Sequence, residues 1–159
     1  MSSKLYAEAK KREGAIAEFL KDVASIPSLS SQEGDVVKFM ADAMKKMGYD
    51  EVVIDGMGNL LGRIGNGPRV IAFDGHCDTV DIGDITLWNK VKPYPSIIKD
   101  GKVYGRGVTD QKGGLTTSIC AIAMLKELGM VPKELTIWVV ASVQEEDCDG
   151  LCWQYIVKE

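Results

Sequence analysis

Apolar residues Ile16, Phe19, Leu20 and Val23 recur at i, i+3, i+4 and i+7 with Lys and Glu between them, which predicts an amphipathic helix from Ser2 to Ser25. Pro27 to Ser31 breaks the pattern. Ser30-Ser31-Gln32-Glu33 then has the form of a capping box that opens a second helix, with Val37, Met40, Ala41 and Met44 on its buried face. Lys45 and Lys46 in its last turn and Gly48 beyond it are the usual terminators. Glu51 to Ile54 and Leu60 to Ile64 read as short strands joined through Asp55-Gly56-Met57-Gly58-Asn59, and are expected to pair. After the turn Gly65-Asn66-Gly67-Pro68, the unbroken apolar run Val70 to Phe73 predicts a strand buried on both faces. Asp81 to Val103 is a long connection without periodicity. A helix from about Gln111 to Leu128 is apolar nearly all round, and Gly129 and Pro132 mark its end. Leu135 to Val143 is a second buried strand, and Asp149 to Glu159 begins a further helix. Strands alternating with helices predict an α/β fold, a mostly parallel sheet between helices.

Composition narrows the setting. The 159 residues make about one domain, and a net charge of −4 weighs against nucleic acid and against an anionic membrane surface as partners. No apolar stretch is long enough for a membrane span, and Met1-Ser2-Ser3-Lys4 does not open a signal-peptide core, so the chain reads as cytoplasmic. Cys77, Cys120, Cys148 and Cys152 are too few and scattered for a disulfide framework, and reduced thiols are expected.

Chemistry gathers where strands end. Val70 to Phe73 runs into Gly75-His76-Cys77-Asp78, and Leu135 to Val143 runs into Gln144-Glu145-Glu146-Asp147. In open α/β sheets the crevice for ligands lies at the carboxyl ends of the strands. His76 and Asp78, two apart, project the same way in extended backbone, which suits a metal-bound imidazole with a carboxylate behind it. Each group alone has a simpler reading. His76 could be a hydrogen-bonded structural histidine, Asp110 a helix N-cap, and Glu145-Glu146 a solvated strand end. Together they favour a metal site, because clustered carboxylates without a cation repel one another. The Gly105-x-Gly107 segment lacks the third glycine of a dinucleotide fingerprint, and Lys112 is followed by Gly113 where a phosphate loop needs Ser or Thr. Cys148 and Cys152 at i, i+4 could join Cys77 on a structural zinc, but without a C-x-x-C pair they read better as small packing residues.

Three segments in this order, Gly75-His76-Cys77-Asp78-Thr79-Val80, Tyr104-Gly105-Arg106-Gly107-Val108-Thr109-Asp110-Gln111-Lys112-Gly113-Gly114 and Glu145-Glu146, resemble the metallopeptidase family of carboxypeptidase G, acetylornithine deacetylase, succinyl-diaminopimelate desuccinylase and aminoacylase. Trp88, Pro93-Tyr94 and Asp100-Gly101 between them match as well. The run Val143 to Cys152 looks most like the YgeY-type hydrolases within it. The resemblance implies hydrolysis of amide bonds in small peptides or N-acyl amino acids at a site of two Zn2+ ions, for which Co2+ or Mn2+ can substitute. His76 would bind one ion, Asp110 would bridge both, Glu146 would bind the other, Asp78 would orient His76, and Glu145 would be the general base. It further implies a cis peptide between Asp110 and Gln111, and a homodimer for the complete protein.

The sequence also departs from that pattern. The family carries a further acidic ligand downstream, a second histidine near the end of the catalytic domain, and an inserted lid and dimerisation domain; this chain holds one histidine and ends at Glu159. Residues 1–159 therefore read as the N-terminal portion of the catalytic domain, carrying about half of the site. The alternative is a non-catalytic remnant that binds at most one metal weakly or packs against a partner.

Overall fold

The computed structural model describes residues 2–148 and 150–158; Asp149 and Glu159, which bound the last predicted helix, lie outside them. In chain order the elements are α1 (Ser2–Ser25), α2 (Gly34–Lys46), β1 (Glu51–Ile54), β2 (Leu60–Gly65), β3 (Arg69–His76), β4 (Ile97–Lys99), β5 (Lys102–Tyr104), α3 (Gly113–Glu127), β6 (Leu135–Ser142) and α4 (Leu151–Lys158). Four strands form one sheet in the order β1-β2-β6-β3, and β4 and β5 form a separate hairpin. Among the described residues no helix is long and apolar enough to cross a membrane.

Alternation along β6 shows how the layers form. Ile137, Val139 and Ala141 point into a core with Val23 of α1, Val36, Met40 and Met44 of α2, and Leu115 and Ile119 of α3. The helical methionines are thus packing residues, as their spacing predicts. Asp74 lies beside Val140, on the opposite face, and Trp153 of α4 donates its indole N–H to the Asp74 carboxylate at 3.0 Å. Helices accordingly stand on both sides of the sheet, three on one and α4 on the other.

The sheet is mixed, which corrects the expectation of a mostly parallel one. β3 and β6 are parallel, but β1 pairs with β2 and β2 with β6 in antiparallel sense. The chain between β3 and β6 includes α3 and is long enough for a parallel crossover, whereas five residues join β1 to β2 and force a hairpin.

β3 is likewise not buried on both faces. It sits at the edge of the sheet, and Val70, Ile71 and Phe73 are 64%, 40% and 43% exposed. An unbroken apolar run signals a strand suited to neighbours on all sides, and among the described residues β3 has a strand partner on one side only.

Three further boundaries shift. The predicted capping box does not form: Glu33 is the N-cap of α2 but makes no side-chain cap, because its carboxylate is engaged elsewhere. α3 starts at Gly113 rather than near Gln111, since Asp110 and Gln111 have non-helical backbone angles inside an irregular turn at Val108–Lys112. The connection from Asp81 to Val103 holds a short 3-10 turn at Ile85–Leu87 and the β4–β5 hairpin, whose tip is Asp100 (φ 52°) and Gly101 (φ 70°). Positive φ at both tip residues is what a two-residue hairpin turn requires.

Candidate metal centre

The parallel pairing of β3 with β6 creates the site. Its register sets His76 opposite Ser142, and the Cys77 N–H donates to the Ser142 carbonyl at 2.9 Å, so the two strand tips leave the sheet side by side. One tip presents His76 and Asp78, the other Glu145 and Glu146. The turn before α3 brings Asp110 against them. Ligand atoms of His76, Asp110 and Glu146 all lie within 4.8 Å of one another, and this is the one such group among the described residues.

His76 is 2% exposed, with its ring held at both nitrogens. Nδ1 lies 3.1 Å from the backbone carbonyl of Asp78 and 3.3 Å from its carboxylate, while Nε2 lies 3.1 Å from the Asp110 carboxylate and 3.7 Å from that of Glu145. Burial alone would lower the His76 pKa, but Asp78 and Asp110 outweigh it and raise it to about 9. Without a metal, the imidazole is therefore a cation at neutral pH among carboxylates.

Asp78 does more than back the histidine. Fully buried, it accepts from Ser30 Oγ at 2.6 Å and from the backbone N–H groups of Glu145 and Glu146, each at 3.1 Å. Burial would raise its pKa, yet the hydrogen bonds from His76, Ser30 and the two amides pull it down to about 2. One carboxylate thus ties the histidine to the loop that carries both glutamates.

The structure brings together all five residues singled out from the sequence: His76, Asp110 and Glu146 as a cluster, Asp78 behind, and Glu145 beside it with its side chain 41% exposed. The Asp110–Gln111 peptide bond is cis. One imidazole nitrogen and clustered carboxylate oxygens are a donor set suited to zinc and similar divalent cations, so these residues fit such an ion. The cysteines stay apart from the cluster. Cys77 and Cys152 are buried packing residues and Cys148 is exposed; all four thiols are free, and burial pushes that of Cys77 up.

Two supporting residues escaped the sequence reading. Lys112 is fully buried and donates to the carbonyls of Ile26 at 2.9 Å and Val23 at 3.4 Å, joining the Asp110 turn to the end of α1; burial lowers its pKa to about 8. Its signal was a lysine at a helix start, where the helix dipole disfavours positive charge. Glu33 was assigned to a cap, yet its carboxylate accepts from the Gln144 backbone N–H. A cleft of about 220 Å³ opens beside the cluster, lined by Thr79, Arg106, Gly107, Thr109, Asp110 and Glu146 among others.

Comparison with known proteins places this geometry in a family. Over 152 residues, 96% of this chain, it is 46% identical to the uncharacterized protein YgeY of Escherichia coli (strain K12), covering 37% of that protein. A probable succinyl-diaminopimelate desuccinylase of Staphylococcus epidermidis (strain ATCC 35984) is 35% identical over 130 residues, 80% of this chain and 32% of the relative. The chain thus spans about a third of the length of these relatives. Among solved structures, human carnosine dipeptidase 1 superposes on 99% of this chain and 38% of its own with a TM-score of 0.85 at 22% identity, a likeness of fold. Dug1p, a di-peptidase of Saccharomyces cerevisiae, covers 98% of this chain and 37% of its own at a TM-score of 0.83 and 19% identity. Residues 72–158 match the model of Peptidase family M20/M25/M40, and the chain belongs to that family.

Proposed function

We propose that this chain carries part of the active site of a metal-dependent hydrolase that cleaves the amide bond of a small peptide or an N-acyl amino acid. The observation that carries the reading is the convergence of His76, Asp110 and Glu146 from three separate segments onto one point beside the exposed carboxylate of Glu145. His76, Asp110 and Glu146 would hold zinc, and Asp110 would be shared with a second ion if one binds. When bound, the metal supplies Lewis acidity: it polarises the scissile carbonyl and makes an attacking water easier to deprotonate.

The chain's own residues do the rest. Glu145 takes the proton from the attacking water and returns it to the departing amine, a role that suits a carboxylate within reach of solvent and fixed at its backbone by Asp78. Asp78 fixes the ring of His76 and keeps it basic. The names of relatives support the substrate class: a desuccinylase and dipeptidases both open amide bonds.

One imidazole and two carboxylates are too few for two four-coordinate ions, so a two-zinc centre would need ligands beyond this cluster. The test is zinc stoichiometry on the purified chain after dialysis, paired with an amidase assay on dipeptides and N-acyl amino acids. One weakly held zinc without turnover fits half a site. Two tightly held zincs with turnover would show that the chain closes the site by another route, and no zinc at any concentration would overturn the reading.

A further inference from the structure

Four consecutive backbone amides follow the end of β6, and they donate to three side chains from different parts of the fold. The Val143 N–H goes to Asn59 Oδ1 at 3.0 Å, that of Gln144 to Glu33 Oε1 at 2.9 Å, and those of Glu145 and Glu146 to Asp78. Asn59 and Asp78 are fully buried and Glu33 is 5% exposed. The shape of the glutamate loop is thus imposed largely from outside; its own backbone contributes the Cys148 N–H, which donates to the Gln144 carbonyl at 3.0 Å.

Gln144 is where that imposition is needed. It has φ 59°, in the left-handed region that a non-glycine residue adopts only where its surroundings hold it. Ser31, at φ 68°, faces it in the same state. Glu33 Oε1 receives the N–H groups of both, and Gln144 Nε2 donates to Ser31 Oγ at 3.0 Å. One carboxylate oxygen therefore fixes two unfavourable turns against each other, and the reversal at Gln144 sends Glu145 and Glu146 under Asp78 toward His76.

We infer that Glu33 is a positioning residue for the glutamate pair: by holding Gln144 in its left-handed turn, it sets where the Glu146 ligand and the Glu145 base stand. The inference rests on the metal reading proposed above for the site's use, but not for the geometry of the loop. It turns on reach rather than charge. Glu33→Gln keeps an acceptor oxygen at the same distance, whereas Glu33→Asp withdraws it by one methylene while remaining a good helix N-cap.

The experiment measures zinc affinity by competition with a chelating indicator, and amide hydrogen exchange, on the 159-residue wild type, E33Q and E33D, with a thermal midpoint for each. Supporting partners of metal ligands change affinity by about 10- to 100-fold. E33D is expected to lose about tenfold in zinc affinity with faster exchange at Gln144, Glu145 and Glu146, and E33Q to stay within about threefold of wild type. Adding Gln144→Gly to E33D should recover affinity, because glycine adopts positive φ unaided. Wild-type affinity in a folded E33D, or a lower midpoint with unchanged affinity, would overturn the inference. So would rapid exchange of the Gln144 amide in the wild type, whichever variants fold. If the wild type holds no zinc, the metal reading fails by itself, and the exchange pattern in E33D alone upholds or overturns the role of Glu33.

Discussion

Asp78→Asn removes the charge from the group that joins His76 to the glutamate loop, with almost no change in shape. The Asp78 pKa falls from an ordinary 3.8 to about 2 in the fold, so the carboxylate is more stable there than in the unfolded chain. At about 1.4 kcal/mol per pKa unit, the difference is worth about 2 kcal/mol at pH 7. The sign follows from a depressed acid: the contribution is complete above the unfolded pKa and fades as pH falls through the folded one. At pH 3 about half of it remains. The introduced amide would also turn its NH2 group toward an N–H donor, Ser30 Oγ or the ring, which adds to the loss. In metal-free buffer, urea unfolding followed by tryptophan fluorescence should place the variant about 2–3 kcal/mol below wild type at pH 7, with a smaller gap at pH 3. Equal stability at pH 7, or a gap that does not shrink on acidification, would refute the reasoning.

Other consequences concern separate parts of the molecule. His76→Ala and Glu146→Ala should each weaken zinc binding by about tenfold or more, whereas Glu145→Ala should leave it near wild type, as titration with a competing chelator will show; equal loss from Glu145→Ala would reverse the assigned roles. Lys112 should give an alkaline signature: with its pKa lowered to about 8, the folded chain sheds this proton before the unfolded chain does, so stability rises between about pH 8 and 10.5. Urea midpoints should credit wild type with about 2 kcal/mol more gain than Lys112→Met between pH 8 and 10, and parallel curves would contradict it. The open edge of β3, with Val70, Ile71 and Phe73 exposed, should make the chain self-associate at high concentration, and Phe73→Glu should reduce this in sedimentation velocity.

How far the sequence could be read depended on whether each signal was local. α1 and α2 followed from side-chain period alone, and the buried methionines of α2 from the same count. His76 and Glu146 were legible because chemistry stood at strand ends, where a parallel pair must present it, and Asp110 because it stood just before a helix. The sense of the other pairings was not legible in the apolar runs, since β2 reads alike in a parallel or an antiparallel sheet. Burial of β3 was misread for a related reason: apolar composition reports what a strand is suited to meet, not what lies beside it in 159 residues. The β4–β5 hairpin was missed because three-residue strands carry no periodicity, although Asp100-Gly101 marked its tip. Glu33 and Lys112 act across 111 and 86 residues of sequence, on backbone groups that carry no side-chain signature.

The measurement that bears most directly on the central claim is X-ray absorption at the zinc edge of the zinc-loaded chain, compared with its His76→Ala variant. The expected result is a shell of oxygen and nitrogen at about 2.0 Å with one imidazole, lost or rebuilt in the variant, and no sulfur. A sulfur shell at about 2.3 Å, or an identical spectrum without His76, would contradict it and move the metal to the cysteines or elsewhere.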